Sequence, residues 1–565
     1  MKKLFLSIGI AASVLTSCSD DFTNAVNYGT LDSSTLGNEQ GVDMLLIAAY
    51  SALDGISARG GADWHVTGDN WWFDVLSDEA HKGSTDGDQA DLYQLETYDW
   101  QTNNAYIGGK WNALYAGVAR SNAVIATIMG IDDGNDYSAK MAEARFLRGH
   151  FYHELQMIYG APAYISEQNY IDKEFNQPNP GPVWEQIEAD FQYAMDNLPE
   201  SQGDVGRPNK YAAQAYLGKA LLQQGKYADA FTQLSSIVDN SRFTLLPEFA
   251  DNFRLAGESG AESVFTIQFV ADGGQSFNGN RGGTLSFPGG GPIGSCCGFY
   301  QPTQDLFNAF QTDANGLPLL DSWNDPANDL ASDYGMTSAD PFTPTTASLD
   351  PRVDYTVGRR GIDFNNWGVN PGKDWIRADF ADISGPYLAK KNFYWSGEDS
   401  QQGTGGWGEQ RSGINFHIIR YADVILMAAE AAAETNNLPK AMEYVNMVRE
   451  RAMNMTTVKD ANGDDAANYN MALYTSFPSQ DYAIKAVRME RRLELAMEGK
   501  RLFDLRRYGN SADVINTYMQ NEARTITSFA DEASGSSYQA KHDLMPIPVG
   551  AIDQSTGTLN QNSGY

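Results

Sequence analysis

Two stretches of this chain carry the spacing of a helical hairpin, and that spacing narrows the fold more than any other feature. In KYAAQAYLGKALLQQGKYADAFTQLSSIV, residues 210–238, small or apolar residues recur at Ala215, Gly218 and Leu222. Gly225 then breaks the helix, and Ala230, Leu234 and Ile237 resume the stripe at i, i+4 and i+7. A second pair runs from about 420 to 452. Val424, Ile425, Ala428 and Ala432 form one stripe and Ala441, Val445, Val448 and Ala452 the other, with Asn436, Asn437 and Pro439 at the turn. Small residues let paired helices approach closely and stack on the next pair, which is the tetratricopeptide pattern. Helices near 109–129 and 140–159 add further pairs, and Val183 to Leu198 precedes the clearest one. Such hairpins bury their faces only by stacking, so those far apart in sequence belong to one core.

The texture changes between the hairpins. Residues 271–415 are rich in glycine and proline, with no sustained helical period and with scattered Trp, Tyr and Asn. They read as long loops with a few short strands, and loops this long inside a compact protein usually carry function. The predicted fold is mainly α: tetratricopeptide-type helical hairpins stacked into one core, with a large loop-rich ligand-binding region and few short strands. At one domain per roughly 150 residues the length suggests several domains. The shared core instead predicts a single one over 38–565. Its helical scaffold covers about 38–265 and 416–510, its loop-rich region about 266–415, and a C-terminal segment 511–565.

The N-terminus predicts an address. Lys2 and Lys3 supply a positive start, Leu4 to Leu15 an apolar run, and Thr16 and Ser17 a small-residue approach to Cys18. A cysteine in that register is where a bacterial lipoprotein is cut and acylated. Residues 1–17 are therefore read as a lipoprotein signal peptide and 18–37 as a lipidated polar tether. The apolar run is too short for the roughly 30 Å of bilayer hydrocarbon, and no later run of about 18 apolar residues exists. The lipid on Cys18 is the expected anchor.

The net charge of −32 becomes −34 after cleavage, because the signal peptide removes Lys2 and Lys3 and no acid. That balance disfavours nucleic acid and anionic head groups, and more weakly polyanionic ligands. Three cysteines, Cys18 and the adjacent Cys296 and Cys297, make no disulfide framework. Eleven Trp and twenty-nine Tyr, largely in segments rich in Gly, Asn and Asp, suit a binder of polar, ring-shaped ligands.

The stretch from Glu490 to Gly509, ERRLELAMEGKRLFDLRRYG, resembles the signature helices near the C-terminus of SusD-like (RagB/SusD) proteins. It is joined by Arg420 to Leu426, by Ala144-Arg145-Phe146-Leu147-Arg148 ahead of His153 and Tyr159-Gly160, and by Asp350-Pro351-Arg352. Met545-Pro546-Ile547-Pro548, Ile552-Asp553 and the final Asn560 to Tyr565 complete the resemblance, which runs essentially along the whole chain. Within residues 490–509, Arg491 with Glu494, Glu498 with Arg501, and Lys500 with Asp504 are spaced for pairing along one helix face, at about 0.2–0.5 kcal/mol each. A charge run of this kind is a solvated face or an inter-helix salt-bridge network, while Leu493, Ala496 and Met497 face the core. The resemblance implies an outer-membrane lipoprotein that binds glycans, or sometimes peptides, and caps a SusC-like TonB-dependent transporter as a hinged lid. Asp20 and Asp21 resemble the signal that sends such lipoproteins to the extracellular side.

Candidate ligand contacts come from aromatic and amide side chains on polar loops. Trp71 and Trp72, flanked by Asp69, Asn70 and Asp74, offer stacking faces beside hydroxyl-reading groups, although the resemblance implies that at least one is core. Cys296 and Cys297 lie in a glycine-rich loop, where a vicinal disulfide would present a flat sulfur platform; free buried thiols are the alternative. The loop from Asp363 to Arg377 contributes Asn366, Trp367 and Arg377. Tyr394 and Trp395 follow Lys390-Lys391, and Trp407 sits among glycines.

Signals for chemistry are poor. His150 and His153 lie one helical turn apart without an HExxH, and two cysteines alone cannot make a zinc site. Asp460, Asn462 and Asp464 mimic the start of a calcium loop, but the glycine is misplaced and position twelve is Met471. The glycines of residues 273–294 lack the GK[ST] ending of a phosphate loop. Seventy-two acids make carboxylate pairs uninformative. No catalytic residue, metal or cofactor is therefore assigned. The expected function is capture of an oligosaccharide or polysaccharide, neutral rather than anionic, on the loop face, while the repeat face packs on the transporter. A peptide-capturing lid and a purely structural lid are the alternatives.

Overall fold

The computed structural model describes residues 36–55, 64–240, 242–271, 279–294, 296–391, 393–404 and 410–565. Cys18 and Trp407 lie outside the described residues.

The first helix, α1 (Glu39–Tyr50), starts where the Asn38 side chain accepts the Gly41 N–H. It is followed by α2 (Ala105–Met129), α3 (Ser138–Tyr159) and α4 (Trp184–Asn197). The clearest hairpin forms α5 (Lys210–Gln223) and α6 (Tyr227–Asn240), with the Asn209 side chain capping α5. Gly225 makes the turn at φ +70°, which a side chain would strain. Gly218 lets the two helices touch: a Cβ there would lie 2.6 Å from Leu234 Cγ. The second hairpin forms α7 (Tyr421–Glu434) and α8 (Leu438–Asn454), and α9 (Gln480–Leu495), α10 (Arg501–Tyr508) and α11 (Ser511–Glu522) follow.

The order of packing is sequential. α3 lies between α2 and α4, α4 meets α5, α5 meets α6, and α7 packs against both α8 and α9. The join across the loop-rich region is made by α6 on α7, so the stack continues from residue 240 to residue 421. One cluster of buried apolar side chains extends from Val42 to Ile547. Among the described residues, strands are few and short. β1 (Ala80–Gly83) pairs antiparallel with β3 (Phe299–Pro302), and β2 (Ser263–Ile267) with β8 (Phe416–Arg420). β4 (Val357–Gly358) pairs with β5 (Leu388–Ala389), and β6 (Gln402–Thr404) with β7 (Gln410–Ser412). Because β2 enters the loop-rich region and β8 leaves it, their pairing closes its base. No helix among the described residues is long and apolar enough to cross a membrane.

The charge run of residues 490–509 corrects the expected pairing along one helix face. The helix ends at Leu495, and a turn with positive φ at Met497 and Gly499 separates it from α10. Arg507 and Asp504 do pair along α10 at 2.7 Å, but the three expected pairs give way to contacts with other elements. Arg491 pairs with Asp423 at 3.0 Å and Asp504 at 3.1 Å, and Arg501 with Asp78 at 2.8 Å. Fully buried Arg420 joins Glu262 (2.9 Å), Glu494 (2.5 Å) and Glu498 (2.9 Å). Arg352 joins Asp350 at 2.7 Å and both Glu490 and Glu494 at 2.8 Å, and Lys391 reaches Glu498 at 2.8 Å. The pairing is long-range because burial makes an unpaired charge far costlier than an exposed one, so Arg352, Arg420 and Arg491 are each placed between carboxylates. The network ties two points of the loop-rich region, Arg352 and Lys391, to the end of α9.

A second buried ion cluster gives an alkaline limit. His81 Nδ1 lies 2.9 Å from Glu96 and Nε2 lies 2.8 Å from Glu522, which ties β1 to α11. Burial opposes the charged ring, but the two carboxylates outweigh it and push the imidazole up to about 9. A raised histidine stabilises the fold fully below its unfolded value of about 6.5, and that contribution is lost as pH rises through about 9. The melting temperature of the wild type should therefore fall relative to His81→Gln between pH 6.5 and 9. Parallel melting curves of the two proteins across that range would contradict the assignment.

Candidate functional site

An open groove of about 1240 Å³, including its mouth, runs between residues 248–254, 355, 363–369, 390–395 and 456–461. Its floor is aromatic. The rings of Trp395 and Tyr355 lie nearly parallel, 18° apart with centroids 6.2 Å apart, and Arg254 stands 4.3 Å over the Trp395 ring. Glu398 fixes this assembly: it accepts the Trp395 backbone N–H at 2.8 Å and the Arg254 Nε–H at 3.0 Å. The Tyr355 hydroxyl donates to the Thr456 carbonyl at 2.8 Å. Tyr355 follows Arg352 by three residues, and Trp395 follows Lys391 by four. Both rings thus lie close in sequence to anchors of the buried ion network.

The groove wall is a tight turn. Asn365 and Asn366 adopt positive φ, which asparagine tolerates. The buried Asn365 side chain donates to the Lys390 carbonyl at 3.0 Å, and the Asn366 N–H donates to Asp363 Oδ2 at 2.8 Å. This leaves the exposed Asn366 amide at the rim. Trp367 stands edge-on to Tyr394, with ring centroids 6.2 Å apart, and donates its indole N–H to the Tyr394 carbonyl at 3.3 Å.

The groove's cations are already engaged. Arg254 is held by Glu398, and Lys459 by Asp465 at 2.6 Å. Lys390 donates to the carbonyls of Asp354 and Asp363, and burial pushes its ammonium down to about 8. Glu248, Asp251, Asp363 and Asp460 line the same surface. Glu248 accepts from the Thr456 N–H and hydroxyl, and Asp460 from the N–H groups of Asn462 and Asp464. An anionic ligand would meet carboxylates and no unengaged cation. Aromatic faces beside amides and carboxylates can instead receive the CH face and hydroxyls of a neutral sugar.

Of the residues expected from sequence, Asn366 and Trp395 share this groove, and Trp367 with Tyr394 buttresses it. Several expectations need correction. Trp71 and Trp72 are 3% and 0% exposed, donate their indole N–H groups to the carbonyls of Trp64 and His65, and so present no face to a ligand. Trp72 stacks on Phe73 at 3.8 Å, where apolar burial outweighs any gain from exposure. Tyr394 is 1% exposed, its hydroxyl donating to Gln410 at 2.6 Å, so it supports the groove without entering it. Asp69 is buried and accepts from Thr67 at 2.7 Å and Asn280 at 2.9 Å. Asn70 lines an interior polar cavity with His150, His153, Glu154, Lys219 and Lys500.

Cys296 and Cys297 are bonded to each other, Cys297 buried and Cys296 half-buried, and neither lines the Trp395 groove. Exposed Arg377 sits beside them, donating to the Cys297 carbonyl at 3.4 Å, to Ser84 at 3.1 Å and to Asp88 at 2.7 Å. The structure thus separates the cysteine and Arg377 surface from the Trp395 groove. It also adds residues that sequence reasoning missed: Glu248, Asp251 and Arg254 precede the loop-rich region, Thr456 to Ala461 follow it, and Tyr355 lies inside it. The proximity of Tyr355 to Arg352 was the only local signal for any of them.

Comparisons with known proteins agree with this architecture. Residues 261–565 match the model of the SusD family, and residues 38–222 match the family described as "Starch-binding associating with outer membrane". SusD-like protein P2 of Formosa agariphila is 26% identical over 486 residues, covering 84% of this chain and 83% of the relative. A SusD-like protein of Bacteroides ovatus is 24% identical, covering 80% and 76%. Among solved structures, a laminarin-binding SusD-like protein superimposes with a TM-score of 0.64 at 22% identity, covering 94% of this chain and all of that one. Surface glycan-binding protein A of Bacteroides thetaiotaomicron, solved with laminarihexaose, gives a TM-score of 0.65 at 19% identity, covering 93% and 99%. With the signature charges of α9 and α10 buried against Arg352 and Arg420, and more than half its length matched by one family, the chain belongs to the SusD family.

Proposed function

We propose that this protein captures a neutral oligosaccharide or polysaccharide at the outer surface of an outer membrane and passes it to a SusC-like TonB-dependent transporter, which it covers as a lid. The observation that carries the reading is the stacked Trp395 and Tyr355 pair at the floor of an open groove whose cations are all engaged. A related fold with bound laminarihexaose supports a glycan, and the lipoprotein pattern ending at Cys18 supports a lipid anchor. On this reading the site is a binder whose carboxylates serve as hydroxyl acceptors. Capture by a shallow aromatic floor that must later release its cargo implies a Kd between about 1 μM and 1 mM.

The test uses protein beginning after Cys18, run on affinity gels of neutral and anionic polysaccharides and titrated with oligosaccharides and peptides by calorimetry. Retention by a neutral polysaccharide, with a Kd in that range, is the expected result. Preference for anionic gels, or nanomolar affinity, would contradict the reading. Binding of extended peptides alone would make the protein a peptide-capturing lid, and a stable transporter complex without any ligand would make it a structural one.

A further inference from the structure

A cleft separate from the groove lies where residues 333–336 meet residues 373–386. It is shallow, about 300 Å³ including its open mouth, so a ligand ring would lie over it, and it shares no lining residue with the Trp395 groove. Phe380 forms one wall and is 40% exposed. Tyr334 meets it edge-on, with ring centroids 6.4 Å apart, and the Tyr334 hydroxyl is anchored by the Phe380 carbonyl at 2.9 Å and the Ser528 N–H at 3.1 Å. The Tyr334 ring is thus held in place by its hydroxyl, which also ties it to the Phe380 backbone.

The cleft also contains a buried acceptor whose carboxylate is met by its own backbone N–H. Asp333 lines it and is 4% exposed, yet among the described residues no other residue donates a hydrogen bond to its carboxylate. Its neighbour Arg360 turns away, donating to the carbonyls of Ser338 at 2.8 Å and Asp340 at 2.6 Å. Gly372 keeps the space beside the carboxylate clear, since a Cβ there would lie 2.6 Å from Asp333 Oδ2. A carboxylate with one such donor keeps acceptor capacity that a ligand hydroxyl can fill. Lys373 is spent on the carbonyls of Ile376 and Ala378, and its ammonium lies 5.4 Å from the Phe380 ring centre. A cationic ligand would face this lysine and an anionic one would face Asp333 and Asp379. A neutral polyol that stacks on Phe380 and donates a hydroxyl to Asp333 meets neither obstacle.

We propose that the Tyr334 and Phe380 cleft is a second saccharide subsite, which takes one neutral pyranose of a polysaccharide that the Trp395 groove also holds. The proposal rests on the glycan reading, and it predicts that chain length matters: two weak contacts on one polymer multiply, whereas a short oligosaccharide engages them singly.

The test compares wild type, Phe380→Ala, Asp333→Asn, Trp395→Ala and the Phe380→Ala/Trp395→Ala double variant. Retention is measured on gels of starch, laminarin, xyloglucan, galactomannan and arabinan, with tetrasaccharides titrated by calorimetry. Phe380→Ala and Asp333→Asn are expected to weaken polysaccharide retention about tenfold while leaving tetrasaccharide affinity within about twofold. Trp395→Ala should keep a residual retention that the double variant loses. If both cleft variants match wild type on every gel while Trp395→Ala abolishes retention, the subsite is wrong and the groove stands. If Trp395→Ala matches wild type while the cleft variants fail, the groove reading is wrong and the subsite stands. Wild type unretained by every gel overturns both.

Discussion

Replacing Arg420 with alanine should cost about 3–5 kcal/mol of stability, enough to lower the melting temperature by about 3–5 °C in a chain of this length. Arg420 is the shared cation of Glu262, Glu494 and Glu498, all of them buried with it. Burial raises the cost of charging Glu498, yet Arg420 and Lys391 outweigh it and hold the carboxyl down at about 2. Without Arg420 those carboxylates lose hydrogen bonds and counter-charge together, and partial rescue by protonation should shift the optimum of stability toward acid. Arg420→Lys should recover only part of the loss, because one ammonium cannot bridge three carboxylates as the planar guanidinium does. Wild-type stability itself should decline as pH falls from about 4.5 toward 2, the window set by the depressed Glu498. Thermal melts monitored by circular dichroism check both statements. An alanine variant within 1 °C of wild type would mean that the network carries no net stability.

Trp395→Ala should weaken binding of a neutral oligosaccharide by at least about 2 kcal/mol, roughly 30-fold, with little change in melting temperature. Trp395 is only half-buried, and its removal also releases the Arg254 guanidinium that stacks upon it. Trp395→Phe should fall between the two, since it keeps a smaller ring beside Tyr355. Trp72→Ala provides the contrast: the ring is fully buried, so its loss should destabilise the protein by about 3–5 kcal/mol. Calorimetric titration and melting of the three variants separate binding from folding. A Trp395→Ala protein with wild-type affinity would remove the groove from consideration.

The helical scaffold was legible because it depends on local spacing. The stripes at Ala215 to Leu222 and Val424 to Ala432 became α5 and α7, and the glycine at 225 fell at the turn between helices. The groove was half legible. Asn366 and Trp395 stood out as amide and aromatic groups among turn formers, but nothing in sequence places Arg254 against Trp395, 141 residues apart. That contact depends on β2 pairing with β8 and on Arg352 and Lys391 anchoring the loops to α9. Trp71 and Trp72 misled because polar neighbours such as Asp69 and Asp74 mimic an exposed loop; those acids are buried, Asp74 accepting from Tyr300 at 2.6 Å and from the Gly499 N–H at 2.7 Å. The charge run of α9 and α10 was legible as an inter-helix salt-bridge network, but its partners, such as Asp78 and Asp423, lie too far away in sequence to be read from spacing. Periodicity locates a face, and only the packed partner decides whether that face meets water.

The most direct measurement is a crystal structure of the protein, starting after Cys18, with the tetrasaccharide that binds most tightly among those of the neutral polysaccharides. The account predicts a sugar ring stacked on Trp395, with hydroxyls hydrogen-bonded to Asn366 or Asp251. A sugar seated instead on the Cys296 and Arg377 surface, with the Trp395 groove empty, would contradict it.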